Sequence, residues 1–126
     1  MKEPIKAQVD KLCEVLYDKK AQNILAIHVS EKTVIADWFI IASGRVPQQV
    51  KALCDEIEEK APEFDLVLRR REGYSDGRWI VLDFADILVH LFIPDERRYY
   101  NMERLWDEDN SAINYSALRE SQPSEA

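Results

Sequence analysis

The chain has 126 residues and a mass of 14.7 kDa, room for one domain, and its 46% hydrophobic content suits a core that needs no disulfide or metal. Seventeen Lys and Arg face 24 Asp and Glu, a net charge of −7, the wrong sign for direct sequence-specific grip on nucleic acid and the right one for a basic protein surface. No apolar run is long enough to span a bilayer, and Met1–Lys6 has neither a signal core nor a transit pattern, so no membrane partner and a cytoplasmic location are expected.

Ile5, Val9, Leu12, Cys13, Leu16 and Tyr17 recur at helical spacing and predict an amphipathic helix over 4–20, with Pro4 suited to its first turn. Ile24–Val29 is β-branched and apolar, a strand, and Ser30–Thr33 turns the chain. Asp37–Ser43 is a second strand, apolar on both faces and therefore central. Pro47 opens a second helix, whose buried stripe is Val50, Leu53, Cys54 and Ile57 and which Pro62 ends.

Leu66–Arg70 reads as the next strand and Glu72–Gly77 as a loop. Trp79–Asp83 and Ile87–Phe92 form an antiparallel hairpin. The connection through the second helix makes its two flanking strands parallel. Asp95–Trp106 is helical, and residues 108–126 form an acidic, polar tail, expected to be mobile from about Ser111 onward. The order is α-β-β-α-β-β-β-α, a mixed β-sheet flanked by helices in an α/β domain over residues 1–107.

Cys13 and Cys54 stand 41 positions apart on helical apolar stripes, without CxxC or CxxH, and read as buried free thiols rather than metal ligands or nucleophiles. No metal and no cofactor are expected. His28 and His90 lie in strand runs and read as hydrogen-bonded sheet residues.

Three constellations carry chemistry. Asp83 and Asp86, with Ser43–Gly44 at another strand end, have the residue types of a metal-dependent nucleotidyltransferase. A DxxD pair around a tight turn more often accepts backbone N–H bonds there. Arg69–Arg71 next to Tyr74 has the types of an RNA contact, but alternate arginines in a strand point to opposite faces, and a charged edge that resists aggregation is the better reading. Tyr74, Trp79, Asp83, Asp86, Tyr99, Tyr100 and Trp106 combine aromatics with carboxylates, the composition of a surface for a basic partner.

The ordered motifs resemble the ribosomal silencing factor, or Iojap, family. The matching pieces are Ala36–Gly44, Glu72-Gly73 followed by Gly77–Asp83, Asp86–Phe92, Arg98-Tyr99-Tyr100 and Leu105-Trp106, covering about residues 5–107. The resemblance implies a nucleotidyltransferase-like α/β fold without the catalytic metal centre. It also implies a non-enzymatic translational repressor that binds the large ribosomal subunit through universal ribosomal protein L fourteen. Occupying that face blocks joining of the small subunit when nutrients are scarce.

Carried onto this chain, the resemblance makes Tyr74 and Trp79 aromatic anchors and Asp83, Asp86 and Asp37 carboxylates facing basic groups of the partner. Self-association of free copies through exposed aromatics is a third reading. Two departures stand out: Ala85 occupies a turn where the family often has Gly, implying a turn that does not need positive φ, and Val46-Pro47 replaces polar residues after Ser43–Gly44.

Overall fold

The structure is a computed structural model that describes residues 4–121. Pro4, which has no N–H to leave unpaired, precedes α1 (Ile5–Asp18), and its carbonyl accepts the Gln8 N–H. Helix α1 buries Gln8, Val9, Leu12, Cys13 and Leu16. Strands β1 (Gln22–His28) and β2 (Trp38–Ser43) pair antiparallel, and Pro47 at the first turn opens α2 (Pro47–Lys60). A 3-10 turn over Ala61–Phe64 ends with Asp65 in the left-handed region. Then come β3 (Arg70–Glu72), β4 (Trp79–Asp83), β5 (Ile87–Phe92), α3 (Pro94–Tyr100), α4 (Met102–Trp106), β6 (Ile113–Asn114) and α5 (Tyr115–Glu120).

The mixed sheet flanked by helices is the predicted class. Its strand order is β3-β4-β5-β2-β1-β6, with β2 and β5 the parallel pair and the other pairings antiparallel. These pairings make β3 run in the same direction as β2, as the helical crossover requires, but the β4–β5 hairpin lies between them. Burial explains the order. The apolar run of β5 takes a central place, while Arg70, Arg71 and Glu72 are all exposed and occupy the edge.

Three expectations are corrected. The third strand begins at Arg70 rather than Leu66, because Leu66 and Leu68 turn into the core beneath α2 and the Leu66 N–H bonds to Ala61. The helix expected over 95–106 is broken at Asn101, whose φ of +47° only a left-handed-tolerant residue adopts readily. The mobility expected from about Ser111 is replaced by structure over 113–120: β6 pairs with β1, and α5 buries Tyr115. The Ile24 N–H, where the β1 register slips, donates to Ser116 Oγ at 2.9 Å. The remainder of the predicted tail, residues 122–126, lies outside the described residues.

Two cores sandwich the sheet. Helices α1 and α2, with Tyr115, cover one face through Ile40, Ala42, Ile80, Leu82, Val89 and Leu91. On the other, Met102 and Trp106 pack on Ile27, Phe39, Ile41 and Phe92. Cys13 and Cys54 are free and buried, as predicted, and burial raises both thiols, Cys54 to about 12.

Candidate protein-interaction surface

Strand β4 alternates. Ile80 and Leu82 are buried against the helical core, so Trp79, Val81 and Asp83 point to the opposite face and stay half-buried. The short α3–α4 pair covers that face over β1, β2 and part of β5, leaving Val81 and Leu88, the cross-strand partner of Asp83, half-open. Trp79 stacks on Phe92 at 4.9 Å and under Tyr100 at 4.7 Å. Beyond it stands Tyr99, 82% exposed and edge-on to Tyr100 at 5.0 Å. A half-open apolar strip therefore runs along β4 and β5 and continues onto α3, and Leu105 on the following α4 is a further exposed apolar side chain, at 63%.

Its far end is acidic. Asp83 Oδ1 accepts the Ala85 N–H at 2.8 Å, the turn role the sequence reading favoured. The Asp86 carbonyl accepts the N–H groups of Asp37, at 2.8 Å, and Trp38, at 3.0 Å. The three aspartates thus gather where β4 turns into β5 and β2 begins. The expectation that this turn does not need positive φ is corrected. Ala85 has φ +73°, so the side chain is tolerated at a backbone geometry that favours glycine.

Tyr74 is not brought to this surface. Its hydroxyl donates to Asp55 on α2 at 3.1 Å, and its ring lies under the Arg71 guanidinium at 4.1 Å. Trp106 also turns inward, edge-on to Phe39 at 5.0 Å. Val81 and Leu88 join the strip, although neither belongs to the aromatic–acidic set that the sequence picks out. The legible signal was the period-two alternation of β4; the missing cover above it was not legible.

The pieces of the nucleotidyltransferase reading fall apart in space. Ser43 pairs with Phe92 at one end of the parallel β2–β5 pair, whereas Asp86 precedes Ile87 at the other end. At ~3.3 Å per residue the two ends are about 17 Å apart. Ser43 Oγ instead accepts Arg97 Nη1 at 2.9 Å. Cys54, Asp55 and Glu58 lie close enough together to share a cation, but each has a protein partner: the Cys54 thiol and Arg71 donate to Glu58, and Tyr74 to Asp55. Two of the three arginines in the basic run are likewise paired, Arg70 with Glu72 and Arg71 with Glu58.

His28 stacks on Trp38 at 4.7 Å and shares a hydrogen bond with Ser30. His90 lies beneath the strip, and burial lowers its imidazole pKa from 6.5 to about 4. Both histidines are hydrogen-bonded sheet residues, as predicted. No helix among the described residues is long and apolar enough to cross a membrane.

The family model described as "Ribosomal silencing factor during starvation" matches residues 2–126. The ribosomal silencing factor RsfS of Halalkalibacterium halodurans is 42% identical over 89 residues, 71% of this chain and 76% of that protein. A crystal structure of a Chromobacterium violaceum protein superposes with a TM-score of 0.75 at 34% identity, covering 79% of this chain and 84% of that one. A mouse protein named "Mitochondrial assembly of ribosomal large subunit protein 1" is 26% identical over 104 residues, 80% of this chain and 46% of its own length. With nearly its whole length matched by that model, and with a relative above 40% identity, this chain belongs to the ribosomal silencing factor family.

Proposed function

We propose that this protein represses translation without catalysis, by docking on the large ribosomal subunit through universal ribosomal protein L fourteen. Its bulk then blocks joining of the small subunit when nutrients are scarce. The observation that carries the reading is the half-open strip of Trp79, Val81, Leu88, Tyr99 and Tyr100, which ends in Asp83, Asp86 and Asp37 and is followed on α4 by the exposed Leu105. An aromatic and aliphatic centre with carboxylates at its end is built for a basic protein. The family description and the mouse relative's name support a ribosomal, large-subunit partner.

Within this proposal Trp79 is the anchor and the three aspartates steer the encounter. Tyr74, held against α2, contributes at most through the shape of its loop. The protein acts in the cytoplasm, and free copies use the same strip to pair with each other. The metal-dependent nucleotidyl-transfer alternative, using Asp83 and Asp86, is the weaker reading because Ser43 lies at the opposite end of the β2–β5 pair from Asp86.

The deciding experiment is sedimentation of the protein with separated large and small subunits, alongside a Tyr99→Ala, Leu105→Ala double variant. Both side chains are well exposed, so their truncation leaves the core intact. Co-migration of the wild type with large subunits only, weakened at least tenfold in the variant, is the expected result. Binding to neither subunit overturns the ribosomal reading, and undiminished binding by the variant overturns the assignment of the strip.

A further inference from the structure

A second feature lies where α3 meets α4, over the end of the sheet that carries Ser43. A cavity of about 520 Å³ opens there, lined by Arg97, Arg98, Asn101, Gln22, Asn23 and Asn114 among others. That volume lies in the range of sites for small metabolites. Its chemistry is unlike the rest of this acidic protein: two arginines and four Asn or Gln residues line it, the Asn114 carboxamide oxygen accepting the Ala117 N–H, and Glu103 is the one carboxylate in the lining.

Arg97 is the built part. It is 8% exposed, its Nε donates to Glu103 and its Nη1 donates to Ser43 Oγ at 2.9 Å. These bonds fix the plane of the guanidinium and leave Nη2 without a protein acceptor among the described residues, on a side chain that lines the cavity. A guanidinium fixed on one side, with an accessible N–H edge on the other, matches a phosphate or carboxylate oxygen pair. Arg98 stands beside it, held among the described residues by an exposed pair with Asp95 one turn back. Such a pair contributes little and exchanges readily for another anion.

The backbone around the cavity is specialised as well. Asn23, at φ +51°, sits in the register slip of β1, and Asn101, at φ +47°, breaks the helix. Bulges and left-handed residues cost energy and cluster where a site is shaped. Both residues line the cavity, and neither carboxamide is taken up by a side-chain hydrogen bond among the described residues. Glu103 pairs with Arg97 inside the lining, whereas Arg98 has its partner, the exposed Asp95, outside it.

We propose that this cavity is a binding site for a small organic phosphate of nucleoside-monophosphate size, separate from the β4–β5 strip. Arg97 and Arg98 take the phosphate, and the carboxamides of Asn23 and Asn101 take the polar body of the ligand. No transfer reaction is implied, because the carboxylates that would hold a metal lie at the other end of the sheet.

The test is titration of the full chain with AMP, GMP and inorganic phosphate, followed by calorimetry and amide chemical shifts. Two variants accompany it: Arg98→Glu, whose side chain is exposed, and Asn101→Gly, which suits the left-handed backbone while removing the carboxamide. Saturable binding of at least one nucleotide is expected, with shifts confined to the cavity residues. Arg98→Glu is expected to weaken it at least tenfold, and Asn101→Gly severalfold, with both variants folded. Binding should also weaken as salt rises. No saturable nucleotide binding at millimolar concentration overturns the site, as does binding that neither variant changes. Inorganic phosphate binding as tightly as the nucleotides overturns the role given to the carboxamides. Subunit sedimentation is an independent readout, so failure here and failure of the ribosomal reading are distinguishable.

Discussion

Trp79 donates its indole N–H to Nδ1 of His90 at 3.2 Å, across the β4–β5 pair. Since Nδ1 accepts, the neutral imidazole carries its proton on Nε2, a buried atom without a partner among the described residues. The aromatic strip therefore rests on a histidine that must stay uncharged.

Acid sensitivity follows from that arrangement. His90 titrates at about 4 in the folded chain against an ordinary 6.5, so the unfolded chain binds the extra proton first as pH falls. The histidine's contribution is fully present above pH 6.5 and is lost progressively down to about pH 4. Between pH 7.5 and 4.5 the loss is about 2–3 kcal/mol by linkage. Urea unfolding of the wild type and of His90→Gln at both pH values checks this. The variant should show a smaller drop by that amount, and equal drops would remove His90 as the cause.

Ala85 predicts a stabilising substitution. Its left-handed φ of +73° costs an L-residue about 1–2 kcal/mol, which glycine avoids at some cost in unfolded-state entropy. Ala85→Gly should therefore raise stability by about 0.5–1 kcal/mol. A higher urea midpoint with an unchanged slope is the expected signature; a lower midpoint contradicts the turn geometry.

Asp83 separates folding from charge. Its carboxylate accepts the Ala85 N–H within the turn, so Asp83→Ala should cost about 1 kcal/mol of stability. Asp83→Asn keeps an acceptor and should leave the melting temperature nearly unchanged while slowing association with the large subunit, most visibly at low salt. Stopped-flow association rates across ionic strength test this, and an unchanged rate would take Asp83 out of the steering role.

The C-terminal segment is a clamp in this fold. Tyr115 is buried, Ser116 satisfies the Ile24 N–H, and Arg119 pairs with Glu14 while stacking on Tyr17 at 4.5 Å. Truncation after Ser111 should cost at least about 3 kcal/mol, most of it from the buried tyrosine and the amide left without a partner. Thermal unfolding of the truncated chain measures the loss directly. A melting temperature equal to that of the full chain would contradict the packing of α5.

Local chemistry accounts for what could be read from the sequence. The helical spacing of Ile5, Val9, Leu12 and Leu16, the apolar run of Ile87–Phe92 and the prolines at 4 and 47 each act within a few residues, so α1, α2, the central strands and the β4–β5 hairpin were all legible. So were the buried thiols and the turn role of Asp83, and the family follows from motifs in order along the chain. Tertiary structure decided matters that depend on distant partners. Ser43 and Asp86 are separated because β2 and β5 run parallel with these residues at opposite ends, and no local pattern encodes that distance. Trp79 and Tyr74 look alike in sequence, yet one joins the strip and the other lies against α2. The polar residues after Trp106 resemble a tail until β1 offers an edge to pair and α1 a surface for Tyr115. Exposure of the β4 face is likewise collective, set by how short α3 and α4 are once Asn101 breaks them.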